Sequence, residues 1–214
     1  MKPMLERLHG WLTRPFYGPL SCAYDCGAFL VSGGLWKRWT FTAEQFVAGH
    51  PVLEVGCGRG HLLQRLAKSG LDVVGLDLSH RMADAARDRL RKAGLLGTVV
   101  CADARQMPFS DASIGTVINT FPTAYVEERA TWLEYLRVLR PGGRGVFVET
   151  PLLDGFDLRL AGVCLAVLSK YGSLAPIRSI SETGIPTELF PRQRKEVVQV
   201  AGTRVVVAIL EKAQ

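Results

Sequence analysis

The chain has 214 residues, 48% of them hydrophobic and 21% charged. That balance describes one folded domain, with or without a terminal extension, and excludes wholesale disorder. The net charge of +6 is scattered, with no basic block, which argues against a nucleic-acid partner. No apolar run approaches the roughly 18–20 residues that a membrane-spanning helix needs. Cys22, Cys26, Cys57, Cys101 and Cys164 lack paired metal spacing. Reduced thiols, no metal and a cytoplasmic location follow as expectations. Glu6, Arg7 and His9 break the first apolar stretch, so no secretory signal peptide is expected.

Residues 1–49 read as a helical N-terminal extension. Met4 to Leu12 has helical spacing, Pro15 and Pro19 interrupt it, and Trp36 to Val47 resumes it. From residue 50 to 214 a second pattern takes over. Short apolar strands are predicted at Val52–Val55, Val73–Leu76, Thr98–Cys101, Ile114–Ile118 and Gly145–Glu149. Helices between them start near His61, Ser79 and Val126, with Ser79 a natural N-cap and Gly94 the stop for the second. Strict alternation of this kind predicts an α/β fold, a parallel sheet covered on both faces. An apolar insertion at about 151–190 follows. Its stretch Leu152 to Leu168 reads either as a core helix or as the wall of a greasy acceptor pocket or membrane contact. Trp11, Phe16 and Tyr17 among Lys2, Arg7 and Arg14 would suit a peripheral anchor at a membrane surface. Lys195–Val200 and Val205–Leu210 then predict a closing antiparallel hairpin.

The strand Val52–Val55 runs into Gly56-Cys57-Gly58-Arg59-Gly60, and a helix follows at once. Glycines there let the backbone turn sharply and approach a ligand, although a tight strand–helix turn also wants glycine. Asp77 ends the next strand, where an acid can accept hydrogen bonds from ribose hydroxyls, or stand as a helix N-terminal charge. Asp103 follows the third strand at the same edge, as a ligand contact or a turn residue. The third glycine comes one residue too early for a dinucleotide fingerprint. Glu54 would also repel a pyrophosphate. An ammonium and a sulfonium suit it better, and S-adenosylmethionine carries both.

Four segments in order now carry a resemblance. Leu-Glu-Val-Gly-Cys-Gly-Arg-Gly (53–60), Val-Val-Gly-Leu-Asp-Leu-Ser (73–79), Ala-Asp-Ala-Arg-Gln-Met-Pro-Phe (102–109) and Leu-Arg-Val-Leu-Arg-Pro-Gly-Gly (136–143) resemble the motifs of class I S-adenosylmethionine-dependent methyltransferases. The resemblance implies a Rossmann-like seven-stranded sheet of order 3-2-1-4-5-7-6 with the last strand antiparallel. It implies that Gly56, Gly58 and Gly60 line the methionine tail with Glu54 beside it. Asp77 would hold the ribose, and Asp103, with Ala104 next to it, the adenine. Met107 would pack near the adenine or simply in the core.

No catalytic base stands out. His61, at the helix start beside the glycine loop, is a candidate base or a lining residue. Asn119 follows the fourth strand, where the family lines the methyl-transfer site; it reads as a site residue or as a backbone-turn residue. Tyr24-Asp25 and Ser32-Gly33-Gly34-Leu35-Trp36-Lys37-Arg38-Trp39 resemble the start of quinone-pathway C-methyltransferases and phospholipid N-methyltransferases. That resemblance implies a Tyr24 that closes over the cofactor, ordinary packing being the alternative. A small, lipophilic acceptor, a quinone precursor or a lipid, is the expected partner. A polar small molecule, protein or RNA acceptor, or a non-catalytic binding role, stays open. The oligomeric state is not legible.

Overall fold

The computed structural model describes residues 32–149, 151, 186 and 188–214. Tyr24, Cys22, Cys26 and the stretch 152–168 lie outside the described residues. Seven strands form one sheet: β1 Val52–Val55, β2 Val73–Asp77, β3 Thr98–Cys101, β4 Ile114–Thr120, β5 Leu139–Val148, β6 Arg192–Val200 and β7 Thr203–Glu211. Their order is β3-β2-β1-β4-β5-β7-β6. The first five pair in parallel, and β7 runs antiparallel to both β5 and β6. The helices are α1 Trp36–Thr40, α2 His61–Lys68, α3 His80–Lys92 and α4 Arg129–Val138. Tight 3-10 turns occupy Phe41–Phe46 and Ala124–Glu127.

β1 is buried along its whole length, as a central parallel strand must be. One face of the sheet is covered by Leu62, Leu63 and Leu66 of α2 with Ala83, Ala86 and Leu90 of α3. The other face carries Trp132, Tyr135 and Val138 of α4. Trp39 and Ala43 pack into the first of these cores, and the Trp39 indole donates to Thr203 Oγ1 at 2.8 Å. Residues 36–46 therefore share the core of the sheet. The β3–β4 connection has no helix. It lies on α4, where Arg137 donates to the carbonyls of Met107 (2.9 Å) and Phe109 (2.6 Å) and pairs with Glu134 and Asp111.

Ser79 caps α3 as expected, its hydroxyl accepting from Met82 N at 3.4 Å. Four elements differ from their predicted starts, β6 beginning at Arg192 and β7 at Thr203, each a few residues early. α4 begins at Arg129, because the chain first makes the 3-10 turn Ala124–Glu127. β5 begins at Leu139, which pairs with Ile114 before the register shifts ahead of Thr116.

Candidate active site

The parallel pairing sets Val55 beside both Leu76 and Asn119, so the ends of β1, β2 and β4 share one edge. Glu54, the glycine loop, Asp77 and Asn119 meet there. Asp77 holds the loop: its Oδ2 accepts from Gly58 N at 2.8 Å and its Oδ1 from Ser79 N at 2.9 Å. Each oxygen keeps a second lone pair for a ligand. Burial pushes the Asp77 carboxyl up, against these two hydrogen bonds.

Glu54 is 3% exposed. Burial raises its carboxyl well above the usual range, the Leu63 N–H on α2 opposes the shift, and the charge of Asp77 adds to it. Glu54 thus caps α2, whose own N-cap, Gly60, has no side chain to do so. Its second oxygen, Oε2, has no partner. Two neighbouring acids and a buried oxygen without a protein partner meet here, and a cation beside them would offset the repulsion that helps to keep Glu54 protonated.

The glycines divide by role. Gly58 sits at φ +51°, and a Cβ there would meet nothing within 4 Å. The space beside Gly58 is therefore open. Gly60 sits at φ +71°, and its Cβ would come within 2.9 Å of Ala86 Cβ. Its smallness lets α2 pack against α3. Gly56 turns at φ +70°, with the Tyr125 hydroxyl 3.3 Å from where a Cβ would stand.

Asp103 lies just beyond β3, bound to Arg105 through Nη2–Oδ2 at 2.6 Å and through the Arg105 backbone N–H at 2.9 Å. The Arg105 guanidinium holds its carboxyl below the usual range. Arg105 also reaches Glu128 at 2.9 Å, which joins the segments following β3 and β4. Ala104 and Met107 are buried in the apolar cluster with Leu53, Val55 and Leu76. His61 Nε2 lies 3.3 Å from Arg89 Nη2. A guanidinium offers only donors, so that nitrogen is an acceptor facing α3.

Asn119 is not a turn residue. β4 runs through Thr120, and Asn119 is 1% exposed within it. Its Nδ2 donates to the hydroxyls of Tyr125 (2.8 Å) and Tyr135 (2.7 Å). Neither tyrosine carries a sequence signal, because their meeting depends on how α4 and the preceding turn dock. Leu78 follows Asp77 and was not among the expected residues. It is 68% exposed immediately after Asp77, where a flat apolar ring could cover it. Its signal was a large apolar residue directly after a strand-end acid.

Residues 52–143 match a methyltransferase domain family. The chain is 36% identical over 185 residues to demethylmenaquinone methyltransferase of Clavibacter sepedonicus, covering 82% of this chain and 75% of that one. The chain belongs to the class I S-adenosylmethionine-dependent methyltransferase family. A ubiquinone/menaquinone biosynthesis C-methyltransferase of Vibrio campbellii is 32% identical over 166 residues, 72% of this chain. The chain spans 64% of that relative's length. Among solved structures, a methyltransferase of Thermotoga maritima, titled a possible histamine N-methyltransferase, matches with TM-score 0.65 at 17% identity, covering 95% of this chain and all of that one. A methyltransferase of Aquifex aeolicus matches with TM-score 0.56 at 18% identity, covering 83% of this chain and 93% of that one. At such identities the likeness is one of fold.

S-adenosylmethionine is the family's cofactor, and the residues present fit it. The unpartnered Glu54 oxygen, the open side of Gly58 and the paired acids of β1 and β2 suit a cationic nucleoside ligand. The acid also gives a pH test. A raised folded-state pKa means that stability from the neutral Glu54 is full below the ordinary glutamate pKa and is lost as pH climbs through the raised value. Glu54→Gln stays neutral throughout. Its ligand-free melting temperature should therefore gain on the wild type as pH rises across that window, while its affinity for S-adenosylhomocysteine falls. Parallel melting curves from scanning fluorimetry over pH would contradict this.

Proposed function

We propose that this methyltransferase transfers a methyl group to a ring carbon of a small lipophilic quinone precursor in its reduced form, S-adenosylhomocysteine leaving and the displaced ring proton passing to water. The observation that carries the reading is the match over most of the chain to a relative named demethylmenaquinone methyltransferase. The donor site on this edge is built for a cation and has the acids to hold it. When bound, S-adenosylmethionine supplies a methyl group already activated on a positive sulfur.

In this reading the chain's own residues do the holding. Glu54 takes the ammonium of the methionine tail, Gly58 leaves room for it, and Asp77 accepts from the ribose hydroxyls. Leu78 covers the adenine ring, and Asp103 and Ala104 flank it. Orienting the two partners is the enzyme's main contribution, since effective molarities on the order of 10⁵ M are reachable by placement alone.

The acceptor side is aromatic. Trp36 packs on Phe121 with ring centroids 4.1 Å apart, just past the end of β4. Phe121 is held at φ +51°, a strained conformation for a bulky residue. Strain of this kind persists where the surrounding structure enforces it, commonly at functional sites. A flat ring acceptor matches such a wall. The protein then works in the cytoplasm against a membrane surface that holds the acceptor's tail. Among the described residues no helix is long and apolar enough to cross a membrane.

The test is transfer from methyl-labelled S-adenosylmethionine into a cell extract divided into lipid, polar small-molecule, protein and RNA pools. Label is expected in the isoprenoid-quinone part of the lipid pool. Label confined to polar metabolites, protein or RNA overturns the reading. Flotation with anionic vesicles, reversed by salt, checks the membrane contact.

A further inference from the structure

The amide of Asn119 is buried, and its two ends differ. Nδ2 spends both protons, on the Tyr125 and Tyr135 hydroxyls at 2.8 and 2.7 Å. Oδ1 has no partner. Buried polar atoms in native proteins are nearly always paired, so an orphan at a functional edge points to a ligand.

The two tyrosines fix the direction of that oxygen. Tyr135 is fully buried and hydrogen-bonds Tyr125 as well; burial pushes its hydroxyl up, so it stays neutral. Its ring is wedged against Trp132 and Phe147, with centroids 5.7 and 5.5 Å away. Tyr125 is pinned through its backbone, where Thr131 Oγ1 donates to its carbonyl at 2.7 Å. The Tyr125 hydroxyl in turn stands at Gly56. A planar amide held by both protons cannot rotate, so Oδ1 keeps one direction. An amide oxygen only accepts. It rewards a partner with an O–H or N–H and leaves an ether or carbonyl unpaired against it.

We infer that Asn119, locked by Tyr125 and Tyr135, is a specificity determinant whose Oδ1 accepts a hydroxyl of an aromatic acceptor. Tyr135 is a positioning residue, since it acts only through the amide. The inference rests on the aromatic-acceptor part of the proposed function, and its test separates the two.

The full chain, loaded with S-adenosylhomocysteine, is titrated calorimetrically with 1-naphthol and with 1-methoxynaphthalene, which lacks the donor. The wild type is expected to prefer 1-naphthol by roughly tenfold, the equivalent of one hydrogen bond in a site built for it. Asn119→Leu should erase the preference, and Tyr135→Phe should cut it at least threefold with affinity for S-adenosylhomocysteine unchanged. If Tyr135→Phe does not fold, the less buried Tyr125→Phe takes its place, with the same threefold loss of preference expected. A wild type without the preference, or variants that keep it, overturns the inference. So does a Tyr135→Phe protein that loses S-adenosylhomocysteine in the same proportion, which would place the cluster in the cofactor site. A wild type that shows the preference yet methylates no reduced demethylmenaquinone overturns the quinone reading and upholds the role of the amide.

Discussion

Asp77→Ala is expected to weaken binding of S-adenosylhomocysteine by roughly 10- to 150-fold, the equivalent of losing a hydrogen bond to a charged acceptor. Two effects add. The ligand loses the acid that the proposed function gives to its ribose. The glycine loop also loses its tether, since Gly58 N donates to Asp77 Oδ2 at 2.8 Å. Asp77→Asn separates them. It keeps an oxygen for the Ser79 N–H, which Oδ1 now receives at 2.9 Å, but turns an amide nitrogen toward Gly58 or the ribose. The asparagine variant should therefore bind more tightly than the alanine variant and still fall well short of the wild type. Calorimetric titration of the three proteins reads this directly. Equal affinities would remove Asp77 from the site.

Gly58→Val should abolish ligand-induced stabilisation altogether. A β-branched residue at φ +51° is strained, at a cost of about 1–3 kcal/mol. The fold tolerates that cost, because the new Cβ would meet no protein atom within 4 Å. In the proposed site the same side chain would fill the space given to the ligand. At a ligand concentration of one hundred times Kd, the wild type gains about 2.7 kcal/mol of stability. Thermal melts with and without S-adenosylhomocysteine should show that gain in the wild type, part of it in Gly58→Ala, and none in Gly58→Val. A Gly60 substitution should behave differently. It should lower stability with or without ligand, because its contact is with Ala86.

The difference between those two glycines marks where a sequence stops being informative. Both are glycines on one loop with positive φ, and spacing alone assigns them the same task. Only the docking of α3 shows that one faces a helix and the other open space. A parallel sheet was legible in the alternation of apolar strands and helices, while its strand order came from the family resemblance that the four motifs carry. β6 was harder at its start. Arg192, Gln193 and Arg194 are exposed on an edge strand, and their pairing with β7 leaves no apolar alternation to read. That Glu54 and Asp77 lie at one edge was legible because the ends of parallel strands meet there. The Tyr125–Asn119–Tyr135 cluster was not. Its members are joined by the docking of α4 and the turn before it, and tyrosines at those positions look like ordinary core residues. The contact of His61 Nε2 with Arg89 Nη2 at 3.3 Å was likewise not legible, because it depends on how α2 and α3 pack.

The most direct measurement is mass spectrometry of reduced demethylmenaquinone incubated with the purified chain and S-adenosylmethionine. The expected product is heavier by one methylene, with the new carbon on the ring, and one S-adenosylhomocysteine is released per product. A quinol recovered unchanged by protein that binds S-adenosylhomocysteine, or a methyl group found on oxygen, would contradict the proposed function.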